Sequence, residues 1–199
     1  IIRLVNFAHG EFLMIGAMCG FYALKANLPM PAAILVAMLS SGLIAVIVER
    51  LIYRPIRKSG RIPALITAIG ASLFFQYFGQ LTFGADPKTI PPFLTERLFI
   101  FQEINVSNIQ IAIFAITMLV LFFLWWLTHF TKIGKAMRAV SFNLAAAELM
   151  GINTNQIISF TFFLGASIAG LGGMLMGYTM SVEPMMGMNL GIKAFVSAV

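Results

Sequence analysis

The chain has 199 residues, of which 60% are hydrophobic and only 10% are charged, with a formal net charge of +6. This composition excludes a soluble globular protein, in which charged residues make up about a quarter of the chain. The apolar runs approach the roughly 20 residues that cross a bilayer as a helix, and they do not alternate as barrel strands do. The predicted fold class is therefore all-α, a polytopic transmembrane helical bundle.

The apolar runs predict about five spans plus the start of another. In chain order the spans cover residues 4–24, 32–52, 62–83, 109–130 and 156–180. Pro29 and Pro31 mark the turn between the first two spans, since proline stops one helix and starts the next. Residues 98–106, after the third span, are predicted to form a short hairpin. Because the chain begins with Ile1 rather than Met, we expect a single transmembrane domain over residues 1–199 that is truncated at both ends.

Positive charge is concentrated in two loops. The first contains Arg54, Arg57, Lys58 and Arg61, and the second contains Lys132, Lys135 and Arg138. Cytoplasmic loops carry an excess of Lys and Arg, so we expect both loops in the cytoplasm. The same rule explains the net charge without a nucleic-acid partner. By alternation, residues 25–31, 84–108 and 181–191 are predicted to lie outside.

Residues 132–155 form the longest polar interruption between two long apolar runs. Spacings of three, four and three predict one helix with an apolar face made by Met137, Val140, Leu144 and Ala147. Gly151 is predicted to end this helix with a positive φ. Asn153 is predicted to cap the next helix, with Gln156 three residues on. We therefore expect a short amphipathic cytoplasmic helix of the kind that touches a partner.

The third predicted span carries a polar stripe. Ser72, Gln76 and Gln80 are spaced by four and share one helix face. Polar side chains are costly in lipid, and they face the interior of a bundle or a water-filled path. Hydrogen bonding between helices and lining of a substrate path fit this stripe equally well. We take the path as the working hypothesis.

His9 and Glu11 are ionisable residues in the first predicted span, near its predicted cytoplasmic end. Residues two apart on a helix do not face each other. We interpret them as snorkelling side chains or helix-end contacts, with a functional site as the alternative.

Two stripes of small residues predict close helix packing. They are Gly16 with Gly20, and Gly173 with Gly177.

The sequence shows no enzymatic site. His9, His129 and Cys19 lack the spacing of a metal site, so we predict neither a metal nor a cofactor. Ser167 resembles the nucleophile of an intramembrane protease only superficially, because its base would have to be His9 or His129. A phosphate-binding loop ending in Gly-Lys-Ser/Thr is absent from the sequence, which excludes ATP binding by that motif.

Several stretches together resemble one family. They are residues 6–12 (Asn-Phe-Ala-His-Gly-Glu-Phe), 49–57, 65–70, 134–139, 151–153, 163–173 and 187–195. They are similar to the inner-membrane permeases of branched-chain amino acid ABC importers, over essentially the whole chain. The Asn-Phe-Ala-His-Gly-Glu form resembles the H-type subunit. The resemblance makes Asn6, His9, Gly10 and Glu11 a family motif without defining its role.

The resemblance implies a coupling-helix loop at residues 132–155. ABC permeases carry a cytoplasmic helix with a Glu-Ala-Ala-x-x-x-Gly pattern that docks on the ATPase subunit. Ala146, Ala147 and Gly151 match this pattern, whereas Ala145 stands at the position of the Glu. Arg138 belongs to the same expected coupling set.

The resemblance also implies a function. The chain is expected to be a permease subunit of an ATP-binding-cassette importer that moves branched-chain or related hydrophobic amino acids by alternating access. ATP hydrolysis is expected on separate ATPase subunits, so this chain is not expected to be an enzyme. The other expected partners are a second permease subunit, an extracytoplasmic substrate-binding protein and the lipid bilayer of a bacterial-type inner membrane. Urea or short-chain amides as substrates, and a secondary transporter of another class, are the alternatives.

Overall fold

The computed structural model describes residues 8–57, 59–91, 98–101 and 104–198. The helices in this part of the chain are α1 (His9–Lys25), α2 (Met30–Val48), α3 (Arg54–Ile56), α4 (Arg61–Phe83), α5 (Asn108–Phe130), α6 (Lys132–Phe142), α7 (Leu144–Leu149), α8 (Thr154–Met176) and α9 (Met186–Ala198). A π-helical turn, Glu49–Tyr53, continues α2 into α3. Strands β1 (Leu98–Phe101) and β2 (Ile104–Ser107) pair antiparallel, which confirms the predicted hairpin. The fold is the polytopic helical bundle that the sequence predicts.

Four helices of the described residues are long and apolar enough to cross a membrane. They are Met30–Ile56, Ile62–Phe83, Asn108–Phe130 and Thr154–Met176, and they correspond to the second to fifth predicted spans. α1 has 17 residues, at the short limit for crossing a bilayer, and all but Lys25 belong to the first predicted span. Residues 4–7 of that predicted span lie outside the described residues. The chain is a multi-pass membrane protein.

The turn between α1 and α2 follows the proline signals. Asn27 adopts a positive φ of 61° after α1 ends. Pro29 then precedes α2, and Pro31 lies in its first turn, where a missing backbone N–H costs nothing.

The chain divides into two compact units, residues 1–90 with 158–199 and residues 91–157. In the first unit, α1 packs against α2, α4 and α9. Gly16 and Gly20 of α1 also lie against Gly170 and Met174 of α8, so α1 and α8 run in the same direction. Ser159, on the first turns of α8, bonds to Glu49 at the far end of α2, so α2 and α8 are antiparallel. These directions agree with the predicted alternation of spans.

The second unit contains the hairpin and helices α5 to α7. The side chain of Ser107 caps α5 and forms a capping box with Gln110. α5 and α6 meet at a sharp corner, where Thr131 caps α6. A β-carbon at Gly134 would overlap the backbone carbonyl of Leu127, so this corner requires a residue without a side chain.

The predicted glycine stripes lie at close helix contacts in the first unit. Gly16 faces the backbone of Gly170, and Gly173 faces the backbone carbonyl of Leu13. Gly20 faces the Met174 side chain, and Gly177 faces Ile90 and Val182, beyond the end of α8. Helices in lipid gain little from hydrophobic burial, so such close backbone approach supplies the packing energy that holds them together.

Neighbouring glycines on α8 provide a test of this packing. A methyl group at Gly173 would overlap the Leu13 carbonyl, whereas one at Gly172 would meet no atom within 4 Å. We expect Gly173→Ala to lower the free energy of unfolding by about 1–3 kcal/mol, the usual cost of overpacking. Gly172→Ala should leave it unchanged or raise it by up to about 1 kcal/mol, because alanine favours helix. Thermal unfolding of the detergent-solubilised protein measures both, and equal effects would contradict this packing.

Candidate functional site

The polar stripe of α4 forms hydrogen bonds with Glu11 of α1. Ser72 Oγ donates to Glu11 Oε1 at 2.7 Å, and Gln76 Nε2 donates to the same oxygen at 2.8 Å. Gln76 Nε2 also lies 3.2 Å from Ser72 Oγ. Gln80, one turn farther along α4, is half-buried and contributes to neither bond. The structure therefore brings two of the three predicted path residues, Ser72 and Gln76, together at the Glu11 carboxylate. The sequence did not predict this contact.

The interpretation of Glu11 as a snorkelling side chain is wrong, whereas its place at a helix end is confirmed, since it lies in the first turn of α1. Its side chain is completely buried, and its partner Ser72 lies at the midpoint of α4. Glu11 thus lies level with the middle of α4. His9 points elsewhere: it is exposed, and its ring contacts Phe12 edge-on. Asn6 of the same motif lies outside the described residues.

Gly10 is the contact point between the start of α1 and the start of α9. A β-carbon at Gly10 would overlap the carbonyl oxygen of Gly187, and Gly191 lies one turn farther along the same face. The first turns of two helices therefore meet beside Glu11. In many transporters the substrate site is formed by discontinuous helices, because the free N–H groups at their ends face the transport path.

The segment before α9 descends along α4. Val182 exchanges two backbone hydrogen bonds with Lys88, beyond the end of α4. Pro184 then packs near Gly79, and Gly187 reaches the level of Gly10. Residues 181–191 are predicted to lie outside; within this range, residues 186–191 form the first turns of α9.

A cavity of about 210 Å³ lies between α4 and α9. Its lining residues are Ile69, Ser72, Leu73, Gln76, Met188, Gly191 and Ile192. The wall is apolar apart from the Ser72 and Gln76 side chains, which are the two groups that hold Glu11. The volume equals about seven waters at about 30 Å³ each, enough for one small organic molecule.

A second buried acid, Glu49, was missed as a site residue by the sequence analysis. Its Oε1 accepts a hydrogen bond from Arg57 at 2.6 Å, and its Oε2 accepts one from Ser159 of α8 at 2.6 Å. Glu49 opens the π-helical turn and has no solvent exposure. The sequence did contain a signal for this pair: Glu49 ends an apolar run, and Arg57 follows eight residues later. The bond from Ser159 joins the turn after α2 to the beginning of α8.

The predicted amphipathic helix of residues 132–155 is two helices rather than one. Asn143 adopts an extended conformation between α6 and α7, and its side chain accepts a hydrogen bond from the Ala146 N–H. The Asn143 side chain bonds to the backbone of the following turn and so starts a new helix there. The apolar spacing runs across this break, which is why it predicted one helix. Val140 and Ala147 are buried, as the predicted apolar face requires.

The predicted end of this segment is confirmed. Gly151 has a φ of +79°, and the Ile152 N–H bonds back to the Ala147 carbonyl, closing the helix end. Asn153 Oδ1 accepts from the Gln156 N–H at 3.2 Å, as a capping residue does. Of the expected coupling residues, Arg138 and Ala146 are exposed and Ala147 is buried.

Ser167 lacks the surroundings of a nucleophile. Its hydroxyl has no hydrogen-bond partner in the described part of the chain, and it lies beside Gly42 of α2. The His9 ring packs edge-on against Phe12, and His129 bonds to the Trp125 carbonyl on its own helix. Among the described residues the arrangement favours binding and movement of a solute over covalent chemistry.

Another buried hydroxyl anchors α1. Ser41 Oγ donates to the Phe12 carbonyl at 2.7 Å and has no solvent exposure. It holds the backbone next to Glu11 without touching the carboxylate or lining the cavity.

The sequence is similar to proteins of one transport family over its whole length. The family model described as "Branched-chain amino acid transport system / permease component" matches residues 1–199. The high-affinity branched-chain amino acid transport system permease protein LivH of Escherichia coli K12 is 34% identical over all of this chain and 69% of its own length. The corresponding permease protein BraD of Pseudomonas aeruginosa is 37% identical, with the same coverage.

More distant similarity extends to sugar permeases. The ribose import permease protein RbsC of Haemophilus influenzae is 25% identical over 86% of this chain and 51% of its own length. No solved structure matches the chain significantly.

The Glu49–Arg57 pair provides a test of the site's framework. Arg57→Ala would leave the Glu49 carboxylate buried without its cation, which costs about 3–5 kcal/mol when a buried pair is broken. We expect a marked fall in the thermal unfolding midpoint of the purified protein. Arg54→Ala, which removes an exposed arginine three residues away, is the matched control and should change the midpoint little. Equal midpoints for the two variants would show that the buried pair is not important for stability.

Proposed function

Because this chain belongs to the family of branched-chain amino acid transport permeases, we propose that it moves branched-chain or related hydrophobic amino acids into the cytoplasm as part of an ATP-driven importer. The chain is a permease subunit. ATP is hydrolysed on separate ATPase subunits, and a second permease subunit completes the membrane path. An extracytoplasmic binding protein delivers the solute, and the assembly resides in a bacterial-type inner membrane.

The observation that carries this proposal is an exposed apolar surface at α7. The side chains of Phe142, Leu149 and Met150 are 92%, 89% and 82% exposed; we call them the α7 surface. They lie in the loop whose lysines and Arg138 predict a cytoplasmic location, where lipid does not cover them. Exposed apolar side chains that lipid does not cover mark protein interfaces, so the α7 surface, which includes Phe142 at the end of α6, is the docking face for an ATPase subunit.

The local geometry of α7 suits docking. Asn143 begins the helix and Gly151 ends it, so α7 is a short helix with defined ends. Ala146 is exposed beside the apolar side chains, and its small size allows a partner to approach the backbone. Glu148 Oε1 accepts a hydrogen bond from the Thr154 hydroxyl at 2.7 Å, which fixes α7 to the first residue of α8. A displacement of α7 is therefore passed directly to a membrane-spanning helix.

The path for the solute is assigned to α4. Ser72 and Gln76 line the cavity between α4 and α9, and Gln80 continues the stripe toward the end of α4. The apolar wall favours a hydrophobic solute over urea, which would need more hydrogen-bond partners. In alternating access, closure of the ATPase subunits shifts the helices around this cavity between two arrangements.

The α7 surface is tested by removing its apolar character. Burying one leucine contributes about 1.5–3 kcal/mol, so Leu149→Glu should weaken ATPase binding by about ten- to a hundredfold. The measurement is copurification of ATPase subunits with the full-length tagged permease from mild detergent. Leu149→Met, which keeps an apolar side chain, should retain them. Retention by Leu149→Glu at equal expression would refute docking at this surface.

Gly151 tests the helix end separately. A side chain at Gly151 would meet no atom within 4 Å, so a substitution acts through the backbone at a φ of +79°. Left-handed conformations cost non-glycine residues about 1–2 kcal/mol, although asparagine adopts them more readily. Gly151→Arg should abolish uptake while the protein stays in the membrane, and Gly151→Asn should retain most of it. Normal uptake by Gly151→Arg at normal expression would argue against a coupling role.

A further inference from the structure

A larger cavity, of about 690 Å³, lies beside α9 and is lined by residues between positions 180 and 193. We call it the α9 cavity. Ile192 lines both this cavity and the one between α4 and α9, so the two cavities adjoin each other along the helix. Small-molecule sites in proteins have volumes of about 300–1,000 Å³. The α9 cavity therefore has room for a small solute together with water.

The α9 cavity contains one acidic and one basic side chain. Glu183 lies in the turn that precedes α9, and Lys193 lies on the helix itself. Within the part of the chain that the structure describes, neither side chain forms an ion pair or a hydrogen bond with another residue. Charged side chains in a membrane-spanning unit usually face a water-filled cavity or a path. Both charges are therefore available to a solute that enters the cavity.

The backbone holds these two charges apart along α9. Val182 exchanges two backbone hydrogen bonds with Lys88, which fixes the residue next to Glu183. The Met186 N–H donates to the Glu183 carbonyl at 3.1 Å, so α9 starts directly after this turn. Lys193 lies two turns beyond Met186, a rise of about 10 Å along the helix axis. Two long charged side chains span such a distance with one amino acid between them.

The rest of the lining fits a hydrophobic amino acid. Met186, Leu190 and Ile192 supply apolar surface in the stretch between the two charges, and Asn189 adds a side-chain amide. An amino acid at neutral pH carries an ammonium group with three donors and a carboxylate that accepts from a lysine. It therefore offers one partner to each charge and an aliphatic part to the apolar surface. Urea, which carries no charge, would leave both charges unpaired.

We propose that the α9 cavity binds the transported amino acid as its zwitterion, with Glu183 contacting the α-ammonium group and Lys193 contacting the α-carboxylate. This inference rests on the proposed transport of hydrophobic amino acids and assigns the solute a charge-recognition site. The aliphatic side chain lies against Met186, Leu190 and Ile192. Because Ile192 also lines the cavity between α4 and α9, the site is next to the path assigned to α4.

The first arm of the test is uptake by the complete importer in proteoliposomes that contain ATP. Glu183→Gln and Lys193→Met each remove one charge and keep most of the side chain. Initial leucine uptake below saturation should fall about ten- to a hundredfold in each, as expected for loss of a hydrogen bond to a charged group.

Two exposed residues provide matched controls for this arm. Asp86→Asn and Lys25→Met remove one acidic and one basic charge outside the cavity, and uptake should stay near that of wild type. Copurified ATPase and second permease subunit should be unchanged in all four variants. Wild-type uptake by Glu183→Gln and Lys193→Met would overturn the charge assignment.

The second arm uses the wild-type importer, so it does not depend on how a variant folds. A leucine analogue with a diazirine in its side chain is photolysed on the purified importer without the binding protein, and mass spectrometry locates the label. We expect labelling within residues 186–192 that excess leucine suppresses. The competitors 4-methylpentanoate and 3-methylbutylamine each lack one charged group of leucine and should suppress it at least about tenfold more weakly.

The outcomes separate this inference from the proposed function. Equal suppression by leucine and both competitors would overturn recognition of the zwitterion. Labelling confined to other residues, while wild-type vesicles transport leucine, would overturn the site and leave the importer standing. If wild-type vesicles that contain ATP and the binding protein take up no leucine, the proposed function fails and this inference fails with it.

Discussion

The close approach of α1 to its neighbours is the constraint on which the first unit depends. Lipid tails are as apolar as the side chains that face them. Moving such side chains from lipid into a contact between helices therefore gains little free energy. Contact between backbones replaces that driving force. Gly10 meets Gly187, Gly16 meets Gly170, and Gly173 meets the carbonyl of Leu13. A side chain at any of these points would hold the helices apart.

This close packing makes buried polar groups possible in the bundle. Glu11 is fully buried in a membrane-spanning unit because Ser72 and Gln76 lie within hydrogen-bond distance of one of its oxygens. Glu49 is buried for the same reason, with Arg57 and Ser159 as partners. Intramembrane acids are costly and usually serve a transport path or fix a conformation. Here both acids join helices: Glu11 bonds α1 to α4, and Glu49 bonds the turn after α2 to α8.

The two candidate surfaces have opposite character. The cavity is mostly apolar, with the Ser72 and Gln76 side chains as its polar groups, which suits a small solute with an aliphatic part. The α7 surface is open and apolar, which suits a protein partner. α8 connects them along the chain, since it begins at Thr154 beside α7 and continues to Gly173 against α1.

Local patterns in the sequence determined the four membrane-spanning helices, their order, the cap at Asn153 and the helix end at Gly151, because these depend on residues within a few turns. The resemblance carried by residues 6–12 and by the later motifs identified the family. Tertiary structure alone decided that Glu11 lies level with the middle of α4 and bonds to Ser72, and that α9 begins beside Gly10. Those contacts join residues 61 or more positions apart, and hydropathy does not encode them. The depth of a polar residue in a bundle depends on where neighbouring helices begin, which follows from packing rather than from local sequence.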